Sequence, residues 1–313
     1  MSFSRTALAG LAVLLSPTPL AAQAFPEGTP SGLFDDKRQE ATLEAQVLLA
    51  RVGHSPGVID GYPGGNTARA LEAFQEAEGL EVTGRADGAT LDRLRAQAGD
   101  APVLGTYVIS ADDVAGGFTA PASGMEAQAE TGNVGYGSAA EMLAEKFGMG
   151  EGFLRALNPG GFGQGQEIII ANATMRDLPA VARIEVDGGA NELRAYGESG
   201  DLVATFPATV GSSDFPSPSG SMEVNAIAPE ASYTFDPSDQ DWGGDKPLSI
   251  PAGPNNPVGG IWIDLSKDGY GIHGSPDPAL IGKTSSHGCV RLTNWDARRL
   301  LEAVSPGTEV DFV

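Results

Sequence analysis

One pattern written twice sets the first limit on the fold. Gly61-x3-Gly65-x-Thr67-x3-Leu71 returns as Gly84-x3-Gly88-x-Thr90-x3-Leu94, every element displaced by 23 residues. A repeat this short is one turn and one helix, and it must pack against its neighbour to bury an apolar side. The glycines permit positive backbone angles in the turns, and Thr67 and Thr90 are expected to cap the helices that follow. Ahead of the pair, Leu43, Val47 and Leu48 form an apolar helical stripe that stops at Gly53, a residue type suited to the position after a helix end. These segments predict a small all-α three-helix domain over residues 39–98, after a linker at 25–38.

From residue 182 the spacing changes to that of strands. Arg183-Ile184-Glu185-Val186 and Glu192-Leu193-Arg194-Ala195-Tyr196 flank Gly188-Gly189, and Leu202-Val203-Ala204-Thr205-Phe206 follows the Ser199-Gly200-Asp201 turn. Further strands are expected at 260–264, 269–273 and 308–313. One helix, 295–304, is capped by Thr293 or Asn294. Residues 181–313 therefore predict a mostly-β domain, and the whole chain a multidomain protein.

Between these domains, residues 101–176 combine an irregular linker around Gly116-Gly117 and Pro121 with a small α+β module. Ser138 and Glu141 have capping-box spacing at the head of an amphipathic helix. A second short helix ends at Asn158-Pro159, and Ile168-Ile169-Ile170 reads as a closing strand, with Tyr107-Val108-Ile109 the candidate for an opening one.

Two resemblances follow from these motifs. Gln46-Val47-Leu48-Leu49, Gly57-Val58-Ile59-Asp60-Gly61, Thr67, Ala70-Leu71, Phe74-Gln75, Gly79-Leu80 and Gly84 resemble the peptidoglycan-binding helical domain found beside cell-wall enzymes. The helix, helix, Asn-Pro, strand order of the middle segment is similar to a lysin-motif module. Both resemblances imply glycan as a partner.

The start of the chain reads as an export signal. Arg5, an apolar run from Ala7 to Leu15, Pro17 and Pro19, and Ala22-Gln23-Ala24 fit a cleavable signal peptide over residues 1–24. About nine apolar residues fall short of the ~20 needed to cross a bilayer, and no later segment is long and apolar enough, so no membrane span is expected. A periplasmic location follows. The formal net charge of −22 makes nucleic acid a poor partner.

An oxidising compartment favours paired cysteines, and this chain has one. Cys289 sits in Ser286-His287-Gly288-Cys289-Val290-Arg291-Leu292, sixteen residues after His273 in Ile272-His273-Gly274-Ser275. A free cysteine is only a few per cent thiolate at neutral pH, and a neighbouring imidazole can take its proton and stabilise the anion. Adjacent strands would bring His273 to it. Gly288 lets the backbone turn, making the amides of Gly288 and Cys289 candidate donors to an oxyanion. The bland alternatives are a small buried thiol and a histidine with a satisfied hydrogen bond. A zinc site from Cys289, His273 and His287 is a sharper rival. It is set aside because no fourth ligand is evident and His287 is expected to face away from Cys289 on a strand. No cofactor is called for.

These motifs, with Pro207-Ala208-Thr209-Val210-Gly211, Pro218-x-Gly220, Asn256-Pro257-Val258-Gly259 and Tyr270-Gly271, closely resemble the catalytic domain of the L,D-transpeptidases, the YkuD family. The family pattern departs once, where its usual Thr-Pro-x-Gly turn reads Ser217-Pro218-Ser219-Gly220. The resemblance implies a β-sandwich-like fold and acyl transfer on peptidoglycan stem peptides. By position, Cys289 would be the nucleophile and His273 the base, its ring oriented by the carbonyl of Gly274. Gly288 and Cys289 would supply oxyanion amides, and Ser286, His287 and Arg291 would shape the substrate site, with the planar fork of Arg291 matching a carboxylate. The acceptor stays open between a stem-peptide amine, water and an outer-membrane lipoprotein. A wall-binding scaffold without catalysis is the reading from another class.

Overall fold

The computed structural model describes residues 25–237 and 246–313. The expected signal segment lies outside the described residues.

Helices α1 (Glu40–Arg51), α2 (Gly65–Ala77) and α3 (Gly88–Ala98) close around Leu48, Leu49, Leu71, Phe74 and Leu94. The turn glycines Gly61 and Gly84 have φ of +76° and +63°. Thr67 and Thr90 are not the caps. The helices begin at Gly65 and Gly88, so the capping positions fall on Gly64 and Asp87, and both threonines lie inside the first turn. Each hydroxyl instead accepts from a buried glutamine of the helix before it, Gln46 to Thr67 at 3.2 Å and Gln75 to Thr90 at 2.9 Å. The same glutamines accept the turn amides of Gly61 at 2.8 Å and Gly84 at 2.9 Å. A buried amide satisfied on both ends thus pins each turn to the preceding helix.

The middle segment contains β1 (Leu104–Val108), α4 (Met125–Thr131), α5 (Ala139–Lys146), α6 (Glu151–Leu157) and β2 (Glu167–Ala171). Strands β1 and β2 pair antiparallel, Leu104 opposite Ala171. Ser138 caps α5 by accepting the Glu141 amide at 3.0 Å. Asn158 ends α6 and clips it to β2, accepting from Ile169 N at 2.7 Å and donating to Ile169 O at 2.8 Å. Helix α4 occupies part of the expected irregular linker. Its seven residues bury no side chain fully, so it carries no apolar stripe to betray it.

The segments are not beads on a string. Leu43 and Val47 of α1 share one apolar core with Leu104, Phe153 and Ile168 of the middle segment. Arg51, only 4% exposed, crosses the same junction and donates to the carbonyls of Ala101, Pro102 and Asn172 at 2.6–2.9 Å.

The C-terminal part runs β3 (Arg183–Asp187), β4 (Glu192–Tyr196), β5 (Leu202–Pro207), β6 (Gly220–Ala228), β7 (Tyr233–Phe235), β8 (Leu248–Ile250), β9 (Trp262–Leu265), β10 (Gly271–His273), β11 (Val290–Arg291), α7 (Asn294–Ala303) and β12 (Glu309–Phe312). Eight of these strands form one sheet in the order β11-β10-β9-β6-β12-β3-β4-β5. Its two ends meet: past β5, Thr209 and Arg291 exchange backbone hydrogen bonds at 2.9 and 2.8 Å. The β-sandwich-like domain is therefore a single, strongly curled sheet. Ile184, Leu193, Phe206, Ile263, Ile272, Val290 and Leu300, each fully buried, fill its inside.

Strand β6, the longest in the sheet and central to it, is absent from the sequence reading. Only Met222 and Val224 of its nine residues are buried, too few for an alternating signal.

Polar contacts clamp the first helical domain to the C-terminal part. Ser55 donates its amide to Thr205 O at 2.8 Å and its hydroxyl to Asp296 Oδ2 at 2.7 Å. Asn66 Nδ2 donates to Ile281 O at 2.9 Å.

Candidate active site

Strands β10 and β11 lie side by side and parallel, with Ile272 opposite Val290 and His273 opposite Arg291. Alternation along a strand sends Ile272 and Val290 into the core and turns His273 and Arg291 the other way. Cys289, two residues before Arg291, shares that outward side. The strand pair thus delivers imidazole, thiol and guanidinium to one cavity of about 700 Å³, lined also by His287, Tyr233, Trp262 and Met125.

His273 is buried, and its Nδ1 lies 2.7 Å from the carbonyl oxygen of Gly274. A carbonyl can only accept, so Nδ1 carries the proton and Nε2 keeps its lone pair. Burial pushes the imidazole pKa down to about 4, against the pull of the Gly274 hydrogen bond. The Trp262 ring stacks on it, centroids 5.5 Å apart. At neutral pH His273 is therefore a neutral base in a fixed tautomer.

Burial pushes the Cys289 thiol up, only partly offset by a Gly271 backbone hydrogen bond and the charge of Arg291. The resting pair is thiol and imidazole rather than thiolate and imidazolium. The thiol points at Gly269 O, 3.6 Å away, so passing its proton to the ring requires the S–H to swing off that carbonyl about the Cβ–Sγ bond.

Gly288 has φ of +118°, and a Cβ there would come 2.8 Å from Cε1 of Tyr270, so only glycine fits. Its amide, however, does not face the cavity. It donates to Ser286 Oγ at 3.1 Å, which removes it from the oxyanion donors in this conformation and leaves the Cys289 amide. Ser286 also differs from expectation. It is 3% exposed, donates Oγ to Cys289 O at 2.6 Å and its amide to Val210 O at 2.7 Å, so it braces the cysteine loop from inside. Ser217 does the same from the other side, accepting from Gly211 N at 2.9 Å and donating to Gly288 O at 2.8 Å.

His287 lines the same cavity as Cys289, contrary to the expectation of opposite faces. Residues two apart on a strand share a side, and the bend at residues 287–289 does not undo this. The His287 ring packs on Phe215 with centroids 4.6 Å apart, and burial and Arg291 lower its pKa. Arg291 lines the cavity, and its buried Nε has no hydrogen-bond partner among the described residues. Among the described residues no group of three or more His, Cys, Asp or Glu is placed to hold a metal ion.

Tyr233, Trp262 and Met125 were not found by sequence reasoning. Tyr233, whose hydroxyl is pushed up by burial and by Cys289, sits on the β7–β8 hairpin, two three-residue strands with no distinct signal. Met125 arrives from α4, remote in sequence.

Residues 182–312 match the family model described as the L,D-transpeptidase catalytic domain, and residues 38–94 the one described as "Putative peptidoglycan binding domain". The chain is 33% identical over 156 residues to "Putative L,D-transpeptidase YkuD" of Bacillus licheniformis, covering 50% of this chain and 79% of that protein. It is 49% identical over 57 residues to the Bacillus subtilis protein of the same name, covering 18% of this chain and 35% of that one. Among solved structures, an L,D-transpeptidase from Stackebrandtia nassauensis aligns over 90% of this chain and 94% of its own at 15% identity, with a TM-score of 0.34.

Proposed function

The chain belongs to the L,D-transpeptidase family, and on that premise we propose that it makes 3→3 cross-links between peptidoglycan stem peptides through a thioester on Cys289. The observation that carries this reading is the single cavity lined by the chain's one cysteine, a buried neutral imidazole whose proton sits on Nδ1, and the guanidinium of Arg291.

The chemistry follows from the protonation states. As Sγ attacks the carbonyl between the third residue of a tetrapeptide stem and its terminal D-alanine, the thiol proton passes to Nε2 of His273. The imidazolium, held by Gly274 O, then protonates the departing D-alanine amine, and the acyl group remains on sulfur. The Cys289 amide faces the developing oxyanion, and Arg291 takes a substrate carboxylate in its planar fork. A side-chain amine from a second stem, losing its proton to Nε2, attacks the thioester and restores the thiol. Water in its place gives a trimmed tripeptide, an L,D-carboxypeptidase outcome through the same residues. A protein amine would give wall attachment.

The first helical domain and the β–α–α–β unit formed by β1, α5, α6 and β2 would hold glycan near this cavity, in keeping with a periplasmic, wall-associated protein.

Mass spectrometry of wall fragments incubated with the protein separates the outcomes. Dimers joined third residue to third residue, together with an acyl adduct on Cys289 that Cys289→Ala lacks, are expected. Tripeptides and free D-alanine without dimers would overturn the cross-linking reading.

A further inference from the structure

The peptide unit between Gly274 and Ser275 is gripped at both ends. Its carbonyl takes the Nδ1 proton of His273 at 2.7 Å, and its amide donates to Oδ1 of Asn294 at 2.8 Å. Carbonyl and amide of one trans peptide point in opposite directions in one plane. Fixing the amide on Asn294 therefore aims the carbonyl at the imidazole.

Asn294 is the first residue of α7 and is buried. Its Nδ2 donates to both oxygens of Glu145, at 3.0 and 3.1 Å, and to Pro254 O at 3.1 Å. Pro254 O can only accept, and so can Glu145 once ionised, so they decide which end of the side-chain amide faces Ser275. Its Oδ1 also fills a slot that a Cβ on either Gly259 or Gly274 would occupy. Glu145 belongs to α5, outside the curled sheet, and also accepts from the Tyr136 hydroxyl at 3.2 Å. Glu141 and Arg298 add their charges beside it.

We propose that Asn294 is a positioning residue for His273 and that Glu145 sets its orientation, so that the β–α–α–β unit helps hold the base in its working tautomer. This rests on the reading of His273 as the base.

The test uses the full chain at pH 8, where Glu145, pushed up to about 7 by burial, is mostly ionised. Asn294→Asp keeps an oxygen for Ser275 but sets a carboxylate against Glu145. Acylation of Cys289 by a tetrapeptide stem is expected to slow on the order of tenfold to a hundredfold, with half-saturation nearly unchanged. The ¹⁵N signals of the His273 ring are expected to lose the pattern of a hydrogen-bonded Nδ1–H. Adding Glu145→Gln supplies a donor for the introduced carboxylate and is expected to restore most of both readouts, which repair of general structural damage would not do. Should Asn294→Asp not fold, Glu145→Ala is expected to give the same loss in milder form. Unchanged ring signals in Asn294→Asp or Glu145→Ala, or no recovery in the double variant, would overturn the proposal. The ring signals decide it even if the wild type forms no acyl-enzyme, a result that would sink the functional reading instead.

Discussion

Replacing Asp296 by asparagine should favour the folded protein more at pH 8 than at pH 4, relative to the wild type. Asp296 lies fully buried in the first turn of α7 and accepts from the hydroxyls of Ser55 at 2.7 Å and Thr293 at 2.8 Å, while Oδ1 has no hydrogen-bond partner among the described residues and faces the Arg299 guanidinium at 3.7 Å. Burial raises its pKa from 3.8 to about 6, against the pull of Arg299 and the two hydroxyls. Moving from 3.8 to about 6 corresponds to about 3 kcal/mol. Because the folded pKa is the higher one, this cost is absent below about pH 3.8, grows as pH rises toward 6, and is complete above it. Asparagine does not titrate. Any penalty from its altered hydrogen bonding is the same at every pH and cancels in the comparison. Urea denaturation at pH 4 and pH 8 should show the variant gaining on the wild type by about 2 kcal/mol, the part of the cost that falls in that window. A difference that stays flat, or moves the other way, would refute a destabilised carboxylate at this site.

Other consequences follow from the same structure. Alkylation of Cys289 by iodoacetamide should be slower in the folded protein than in the unfolded chain at pH 7.5 and should climb through the alkaline range, because burial holds the thiol protonated. A rate that levels off below pH 7 would show a preformed thiolate. Gly288→Ala should stall acylation while leaving the far-ultraviolet circular dichroism unchanged, since the positive φ costs of order 1–3 kcal/mol and the new methyl meets the Tyr270 ring. Arg51→Met should lower stability by about 3 kcal/mol or more in urea denaturation, because the carbonyls of Ala101, Pro102 and Asn172 lose their donor together. Arg51→Lys should recover little of it, as an ammonium cannot fork to three carbonyls in those directions.

The parts of the fold legible in sequence are those written in local chemistry. The repeat around Gly61 and Gly84 is visible because its turns demand glycine, and the meander of β3, β4 and β5 because it alternates between turn residues. Thr67 and Thr90 were misread because their partners, Gln46 and Gln75, lie a loop away in sequence, and a threonine near a helix start looks alike whether it caps or accepts. At the candidate site, His273, Cys289 and Arg291 stood out by residue type and spacing. The occupation of the Gly288 amide by Ser286 did not, because which way a peptide turns depends on the hydroxyl it finds. Asn294 carried no chemical signal either. Its place was visible only as a helix start, and its importance comes from Glu145, 149 residues earlier in the chain.

The closure of the sheet at Thr209 and Arg291 bears on when the thiol becomes reactive. Residues 82 positions apart must meet to complete the strand pair that borders Cys289, a long-range loop to close. A chain in which that seam is open exposes a cysteine of ordinary acidity to any oxidant around it. Once the seam closes, burial lowers the small thiolate fraction further and leaves the thiol, which oxidants attack far more slowly. Completion of the fold therefore both assembles the site and shields its sulfur until a carbonyl, with the imidazole beside it, draws the proton away.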